Sequence, residues 1–357
     1  MTLYPKLILD ALTHVRYPGT GKDIVSSEMV EDDLRIEGNK VTFSLVFDKS
    51  NDPFAKSLVK ACEQAILTYV SPEVDIKGNI TIKSKQPIAK PTEKPLAGVK
   101  YTVAISSGKG GVGKSTVSAN LAVALAKLGY KVGLLDADIY GPSMPKMFGL
   151  EDEHPTAEVI DGKEWILPIE KYGVKLLSIG FFVDVDKALI WRGAMASNAI
   201  KQLINDAQWG DLDYFLIDLP PGTSDIHLTL VQALQLSGAI VVSTPQQVAL
   251  ADARKGLQMF QTEKIEVPIL GLVENMAWFT PAELPENRYY IFGKDGCKKL
   301  AEEKNVPLLA QIPIVQSICE SGDTGEPVAL KDNTILSEAF RTLATNMVTN
   351  VETITHK

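Results

Sequence analysis

The stretch SSGKGGVGKST, residues 106–116, constrains the fold of this chain more than any other sequence feature. Gly108, Gly113, Lys114 and Ser115 satisfy the spacing G-x-x-x-x-G-K-[ST], which forms a phosphate-binding loop when it lies between a strand and a helix. An apolar run precedes the stretch and a helical pattern follows it, so this context is met. The alternative is a glycine-rich surface turn, which this context disfavours.

The loop is predicted to bind the triphosphate of a nucleotide. Glycines let backbone N–H groups crowd around phosphate oxygens, and a helix that begins at Lys114 adds its positive dipole end. Lys114 would neutralise charge on the β- and γ-phosphates, and Ser115 would bind Mg²⁺. The predicted nucleotide contacts in the loop are Gly108, Lys109, Gly110, Gly111, Val112, Gly113, Lys114, Ser115 and Thr116.

The chain around this loop divides into three predicted parts. Residues 1–84 combine two helical patterns with strand-like runs and predict a small α+β domain. Residues 85–98, KQPIAKPTEKPLAG, carry prolines and charges that predict a semi-rigid linker. In residues 99–357 short apolar runs alternate with helical stretches, which predicts an α/β P-loop NTPase domain with a doubly wound, mainly parallel sheet.

Composition and charge exclude some classes of function for this chain. The 357 residues are 45% hydrophobic with a net charge of −8, so the body is globular and too acidic to favour nucleic acid as a partner. No apolar run reaches the ~18 residues of a membrane span, and the first residues lack a secretion signal. Three cysteines are too few for a disulfide framework, so we expect a reducing, cytoplasmic location without a membrane partner.

Three aspartates follow predicted strands at the edge where the loop lies. Asp136 and Asp138 follow an apolar run in GLLDADIYGPS, and Asp218 ends another in DYFLIDLPPG. Asp218 is predicted to hold the Mg²⁺ shell, and the N–H of Gly222 after it to sense the γ-phosphate. Asp138 is predicted to orient the attacking water and to join the Mg²⁺ site, whereas the role of Asp136 stays open. The alternative for each aspartate is a turn residue that caps a helix.

The base of the nucleotide is predicted to be adenine. The Asn-Lys-x-Asp motif of a guanine site does not follow a late strand, whereas GLVENM ends a strand with Asn275. An asparagine amide offers a donor and an acceptor that match the N6/N7 edge of adenine. The alternative is a strand-end asparagine in a turn.

Lys109 is a second lysine in the loop, without an obvious role in a single active site. It could reach the phosphates of a facing subunit and stabilise transition-state charge in trans, as an arginine finger does. Hydrolysis would then require a homodimer. The alternative is a solvated surface lysine.

The motif GKGGVGKST, with its early lysine, resembles the deviant phosphate loop of the ParA/MinD/nitrogenase-iron-protein superfamily. With GLLDADIYGPS, IWRGAM, DYFLIDLPPGTSD, STPQQVALADARKG and GLVENMAWF, residues 100–345 are similar to the Mrp/ApbC-type iron–sulfur cluster carrier ATPases. The resemblance implies Mg²⁺-dependent ATP hydrolysis, a homodimer, and transfer of a [4Fe–4S] cluster between scaffold proteins and apo-proteins. The first 84 residues are similar to the small iron–sulfur assembly domain that often precedes such ATPases. Trp191, Arg192 and Gly193 match the family without a residue-level role.

The chain departs from that family at its cluster ligands. The usual Cys-x-x-Cys after the ENM segment is replaced by WFTPAELPENRYYIFG, and Asp52 precedes Pro53 where the small domain often has a cysteine. Clusters require soft thiolate ligands. Cys297 and Cys319 are the remaining candidates, each with the alternative of a buried or incidental cysteine.

Three functions therefore stay open from the sequence. The first is an ATP-driven iron–sulfur carrier or assembly protein. The second is an ATPase of the same family that has lost the cluster and acts as a regulatory or scaffold switch. The third is a positioning ATPase on membrane or DNA, which the cation-poor final helix disfavours.

Overall fold

A computed structural model of the chain separates into two compact units, Met1–Glu93 and Lys94–Lys357. Residues 85–95 of the predicted linker lie outside the described residues. Trp191 and Arg192 also lie outside them. The described residues are 3–18, 20–47, 52, 54–84, 96–160, 162–182, 193–223, 227, 230–231, 234–263, 265–281, 283–284 and 286–355.

The first unit is a small α+β fold. A hairpin of two antiparallel strands turns at Gly38, whose φ of 63° suits glycine, and its second strand pairs in parallel with a third. Val41, Phe43, Leu45 and Phe47 alternate along the second strand and are buried against both helices. In chain order the elements are α1 (Pro5–Leu12), β1 (Arg35–Glu37), β2 (Lys40–Phe47), α2 (Ala55–Tyr69) and β3 (Ile80–Ser84).

The second unit is built on an eight-stranded sheet within the described residues. Its order is β13-β12-β11-β4-β10-β5-β9-β8, and every neighbouring pair is parallel except β8 with β9. The strands are β4 (Val99–Ser106), β5 (Val132–Asp136), β8 (Ile169–Lys171), β9 (Val174–Ser178), β10 (Leu212–Asp218), β11 (Gly238–Ser243), β12 (Ile269–Phe279) and β13 (Leu308–Ile314). A separate hairpin joins β6 (Ala157–Ile160) to β7 (Lys163–Ile166).

Helices cover both faces of this sheet. Successive strand residues point to opposite faces, so Leu134 lies in one hydrophobic core and Leu135 in the other. One core also holds apolar residues of α3 and α9, and the other holds those of α5, α6 and α7. The helices are α3 (Lys114–Lys127), α4 (Met144–Met147), α5 (Gly193–Asn205), α6 (Gln247–Phe260), α7 (Gly296–Lys304), α8 (Gln316–Thr324) and α9 (Ile335–Thr355).

The doubly wound parallel sheet confirms the predicted fold class. The predicted apolar runs form β4, β5, β9, β10, β11 and β12, because continuous apolar sequence suits a strand covered on both faces. Strand β13 was missed, since Gln311 and Pro313 interrupt its apolar run, and the proline is tolerated on an edge strand. None of the described helices is both long and apolar enough to cross a membrane.

Candidate nucleotide-binding site

The phosphate loop connects β4 to α3 at the carboxyl edge of the sheet. Gly111 and Gly113 have φ values of 82° and 81°, in the left-handed region that favours glycine. Gly108 is required for a different reason, because a Cβ there would lie 2.1 Å from the backbone carbonyl carbon of Asp252 in α6. The glycines thus supply both the turn and the close approach of the loop to the neighbouring helix.

Lys114 is the cation at the centre of the site. Its Nζ lies 2.8 Å from Oδ2 of Asp218 and 3.7 Å from Oδ2 of Asp138, although the three residues come from different elements. The lysine is 5% exposed and Asp218 is fully buried. The structure therefore brings three of the predicted site residues into one buried ionic cluster.

The carboxylate of Asp218 also accepts two hydroxyl hydrogen bonds from α3. Ser115 Oγ donates to one oxygen and Ser118 Oγ to the other, each at 2.6 Å. The role of Ser118 was missed from the sequence, although it lies one helical turn beyond Lys114 and Ser115 and so shares their face. A hydroxyl beside a carboxylate is the set of hard oxygen donors that Mg²⁺ prefers, so these residues fit the predicted metal.

Asp136 is the last residue of β5, and Asp138 lies in the loop that follows it. Burial raises the pKa of Asp136 above its usual range, helped by the charge of Asp218 and opposed by hydrogen bonds from Ser178 and Met144. Burial also raises the pKa of Asp138, against the opposing charge of Lys114. Oδ1 of Asp136 accepts the N–H of Asp138 at 3.1 Å, so the first aspartate orders the backbone of the second.

The loop after Asp218 is bonded to the strand that leads into the phosphate loop. Leu219 N–H donates to the carbonyl of Ile105 at 3.0 Å, and Gly222 N–H donates to the carbonyl of Ser107 at 2.9 Å. In this structure the Gly222 N–H is therefore directed at the protein backbone, whereas the sequence predicted that it would face a phosphate. A tertiary hydrogen bond of this kind leaves no signal in the sequence.

Asn275 contacts the phosphate loop and follows the buried apolar residues of β12. It is 5% exposed, and its Nδ2 donates to the carbonyl of Val112 at 2.8 Å. No sequence motif predicts this partner. The predicted contact of Asn275 with adenine stays a prediction.

Lys109 and Thr116 flank the buried part of the loop. Lys109 is exposed and forms none of the ion pairs found among the described residues. Thr116 is half-buried, and its carbonyl accepts a hydrogen bond from Asn120 Nδ2 at 2.9 Å. An exposed lysine beside the loop is compatible with action in trans, which stays a prediction.

The cysteines do not form a cluster site in the described part of the chain. Cys297 is fully buried at the start of α7, where burial and the nearby Glu274 raise the pKa of its thiol. Cys319 is exposed on α8, and Cys62 is buried in the first unit. Among the described residues, no group of three or more His, Cys, Asp or Glu side chains is placed to hold a metal ion.

The residue at the other expected cysteine position has a structural role. Asp52 accepts the N–H of Phe54 at 2.8 Å, at the start of α2, and accepts a hydrogen bond from the hydroxyl of Tyr17. Pro53 lies outside the described residues. A carboxylate at this point orders the turn that leads into the helix and interacts favourably with the helix dipole.

Comparison with models of protein families shows which family this chain belongs to. The sequence profile of the ParA family described as NUBPL iron-transfer P-loop NTPase matches residues 98–348. The chain belongs to this family. Residues 6–76 match a second family, described as iron-sulfur cluster assembly protein. Both matches confirm the resemblances inferred from the sequence motifs.

Individual NUBPL/ParA-type relatives resemble the chain over most of its length. An iron-sulfur cluster carrier protein of Synechocystis sp. is 43% identical over 324 residues, which cover 90% of each protein. A nucleotide-binding protein of Archaeoglobus fulgidus, solved in complex with ADP, is 37% identical with a TM-score of 0.58, over 68% of this chain and 93% of that one. The cell division ATPase MinD of Pyrococcus furiosus is 25% identical with a TM-score of 0.51, over 70% of this chain and 99% of that one. These similarities confirm the P-loop NTPase fold.

Proposed function

We propose that this P-loop NTPase hydrolyses ATP to ADP and phosphate with Mg²⁺. The observation that carries the proposal is the contact of Lys114 with Asp218, 2.8 Å apart at the base of the phosphate loop. Lys114 and the backbone N–H groups of residues 108–116 hold the phosphates, and Ser115, Asp138 and Asp218 supply oxygen atoms for Mg²⁺. When bound, Mg²⁺ neutralises charge on the phosphate oxygens. The ADP-bound relative at 37% identity supports an adenine nucleotide.

Asp138 is the proposed group that orients the attacking water. It lies in the loop after β5, two residues beyond the strand, and is 8% exposed, with its Oδ2 3.7 Å from Nζ of Lys114. Lys109 is proposed to act on the nucleotide of a facing subunit, which makes a homodimer the active form. Its exposure supports that assignment.

We also propose that hydrolysis serves iron–sulfur cluster carriage, with transfer of [4Fe–4S] clusters to apo-proteins in the cytoplasm. The name of the Synechocystis relative and the matched assembly family support this proposal. Four thiolates usually hold such a cluster, and a dimer of this chain exposes one cysteine, Cys319, from each subunit.

A second candidate is an ATPase that acts in the same process without binding a cluster itself. The burial of Cys297 favours it, because a thiol in the core with a raised pKa is a poor source of thiolate. The sequence after Asn275 also lacks the Cys-x-x-Cys of the carriers it resembles. The hydrolytic residues are the same in both candidates.

Two measurements test these proposals separately. Phosphate release with ATP, in Mg²⁺ and in excess chelator, tests hydrolysis, and the absence of Mg²⁺-dependent release would refute it. Anaerobic iron–sulfur reconstitution, followed by iron and sulfide analysis, tests carriage in the wild type and in Cys319→Ala. Cys62→Ala is the matched control, since that thiol is buried and burial raises its pKa to about 12. Stoichiometric iron that depends on Cys319 supports carriage, whereas no bound iron in the wild type supports the second candidate.

A further inference from the structure

The side chain of Asn275 connects β12 to the phosphate loop at a point that the catalytic residues do not use. Its Nδ2 donates to the carbonyl oxygen of Val112 at 2.8 Å, across a sequence separation of 163 residues. Asn275 is 5% exposed and Val112 is 4% exposed, so the bond is shielded from water. A buried carbonyl that loses such a partner is left unsatisfied, which is costly.

This bond fixes the orientation of the peptide between Val112 and Gly113. The described peptide bonds are all trans, and a planar trans peptide directs its N–H opposite to its C=O. With the Val112 carbonyl held by Asn275, the Gly113 N–H is turned away from β12. Backbone N–H groups are the phosphate-binding groups of such a loop, so the amide of Asn275 sets the direction of one of them.

Gly113 leaves the room that this contact needs. A Cβ at position 113 would lie 2.3 Å from Nδ2 of Asn275, which is closer than side chains approach one another. The φ of 81° at Gly113 independently favours glycine. The glycine before the lysine therefore accommodates both its own backbone conformation and the amide of Asn275.

The middle of β12 is anchored on its other face as well. Glu274 is fully buried and accepts the N–H of Cys297 at the start of α7 and the side-chain amide of Gln311 in β13, both at 2.6 Å. Because neighbouring strand residues point to opposite faces, Glu274 holds the strand while Asn275 holds the loop. Asn275 is thus a fixed reference point rather than a side chain that moves with the loop.

We propose that Asn275 is a positioning residue for phosphate binding, in addition to any contact with the base. The inference rests on the proposed ATP binding and adds that the contribution of Asn275 does not depend on the base. Removal of the amide lets the 112–113 peptide rotate. The expected result is weaker binding of any ligand that presents the same phosphate chain, including one without a nucleoside.

The test is isothermal titration of the full chain with ATP and with inorganic tripolyphosphate, each with Mg²⁺. Asn275→Ala is expected to weaken both ligands by a similar factor of about five to ten, the effect of one hydrogen bond. Asn350→Ala is the matched control. Asn350 Nδ2 donates to the carbonyl of Leu270 at 2.9 Å, and Leu270 lies in β12 as Asn275 does, but away from the phosphate loop. The control is expected to bind both ligands as the wild type does.

The outcomes separate this inference from the proposed function. Wild-type protein that fails to bind ATP refutes the proposed function itself. The positioning role is refuted if the wild type binds both ligands and Asn275→Ala weakens the binding of ATP alone. It is also refuted if Asn275→Ala weakens the binding of neither ligand. If Asn275→Ala does not fold, Asn275→Ser provides the same comparison, since serine retains a polar group that is too short to reach Val112.

Discussion

Asp136 and Asp218 stand opposite each other as register partners at the carboxyl ends of the parallel strands β5 and β10. Both carboxyl groups are fully buried, and the charge of Asp218 opposes ionisation of Asp136. The ammonium of Lys114, 2.8 Å from Asp218, offsets part of this repulsion. The effect of these opposing charges on the free energy of unfolding should therefore be measurable without any ligand.

Replacement of Lys114 by methionine should destabilise the nucleotide-free protein. The buried carboxylates lose their compensating charge, so the free energy of unfolding is expected to fall by about 3 kcal/mol in urea titrations. Adding Asp218→Asn should recover part of that loss, because it removes the uncompensated charge. Lys146→Met is the control, since its 3.1 Å ion pair with Glu151 is solvent-exposed and worth less than about 1 kcal/mol. If the two substitutions lower the free energy of unfolding additively in the double variant, the coupling between Lys114 and Asp218 is contradicted.

Lys109→Ala should retain ATP binding and lose turnover. If the lysine stabilises the transition state in a facing subunit, steady-state phosphate release should fall on the order of a thousandfold while ATP affinity changes little. Lys100→Ala is the control, because Lys100 is exposed and lies at the end of β4 that is opposite the phosphate loop. A Lys109→Ala enzyme with wild-type turnover would exclude the role in trans.

Gly108→Ala should destabilise the fold more than Gly110→Ala. The new Cβ at 108 would meet the backbone of Asp252 at 2.1 Å, whereas the nearest atom to a Cβ at 110 is a side-chain carbon of Pro221 at 3.9 Å. Forced overpacking of this kind costs about 1–3 kcal/mol. Thermal unfolding without nucleotide measures the difference, and equal melting temperatures would show that α6 does not restrain the loop.

The first unit should lose local stability in acid through Asp33. Burial raises the pKa of this carboxyl, but hydrogen bonds from Ser44 and the ammonium of Lys83 outweigh burial and lower it from 3.8 to about 2. Because the pKa is lower in the folded state, the stabilisation is present above about pH 4 and is lost as the pH falls towards 2. Asp33→Asn should cost about 1 kcal/mol at neutral pH, discounted because the side chain is 35% exposed.

Hydrogen exchange of the β2 amides, read by mass spectrometry, reports this local effect. The difference between wild type and Asp33→Asn should shrink as the pH falls from about 7 to about 3. Asp32→Asn, at the exposed neighbouring aspartate, is the control. A difference that grows in acid would show that Asp33 is not held in its ionised form.

Local sequence patterns predict much of this molecule. The strand-loop-helix around Lys114 and the carboxylates after β5 and β10 follow from motif spacing, because parallel strands bring their carboxyl ends to one edge. The contacts of Ser118 with Asp218 and of Asn275 with Val112 could not be predicted in this way. They depend on how α3 and β12 approach elements that are distant in the chain, and periodicity carries no information on that approach.

The burial of Cys297 has a consequence for the handling of the protein. Peroxide and other oxidants reach a thiol through solvent and react with its thiolate form. Cys62 and Cys297 are enclosed in the two units and have raised pKa values, whereas Cys319 is open to solvent on α8. Exposure to air should therefore modify α8 first and leave the packing around both buried thiols intact.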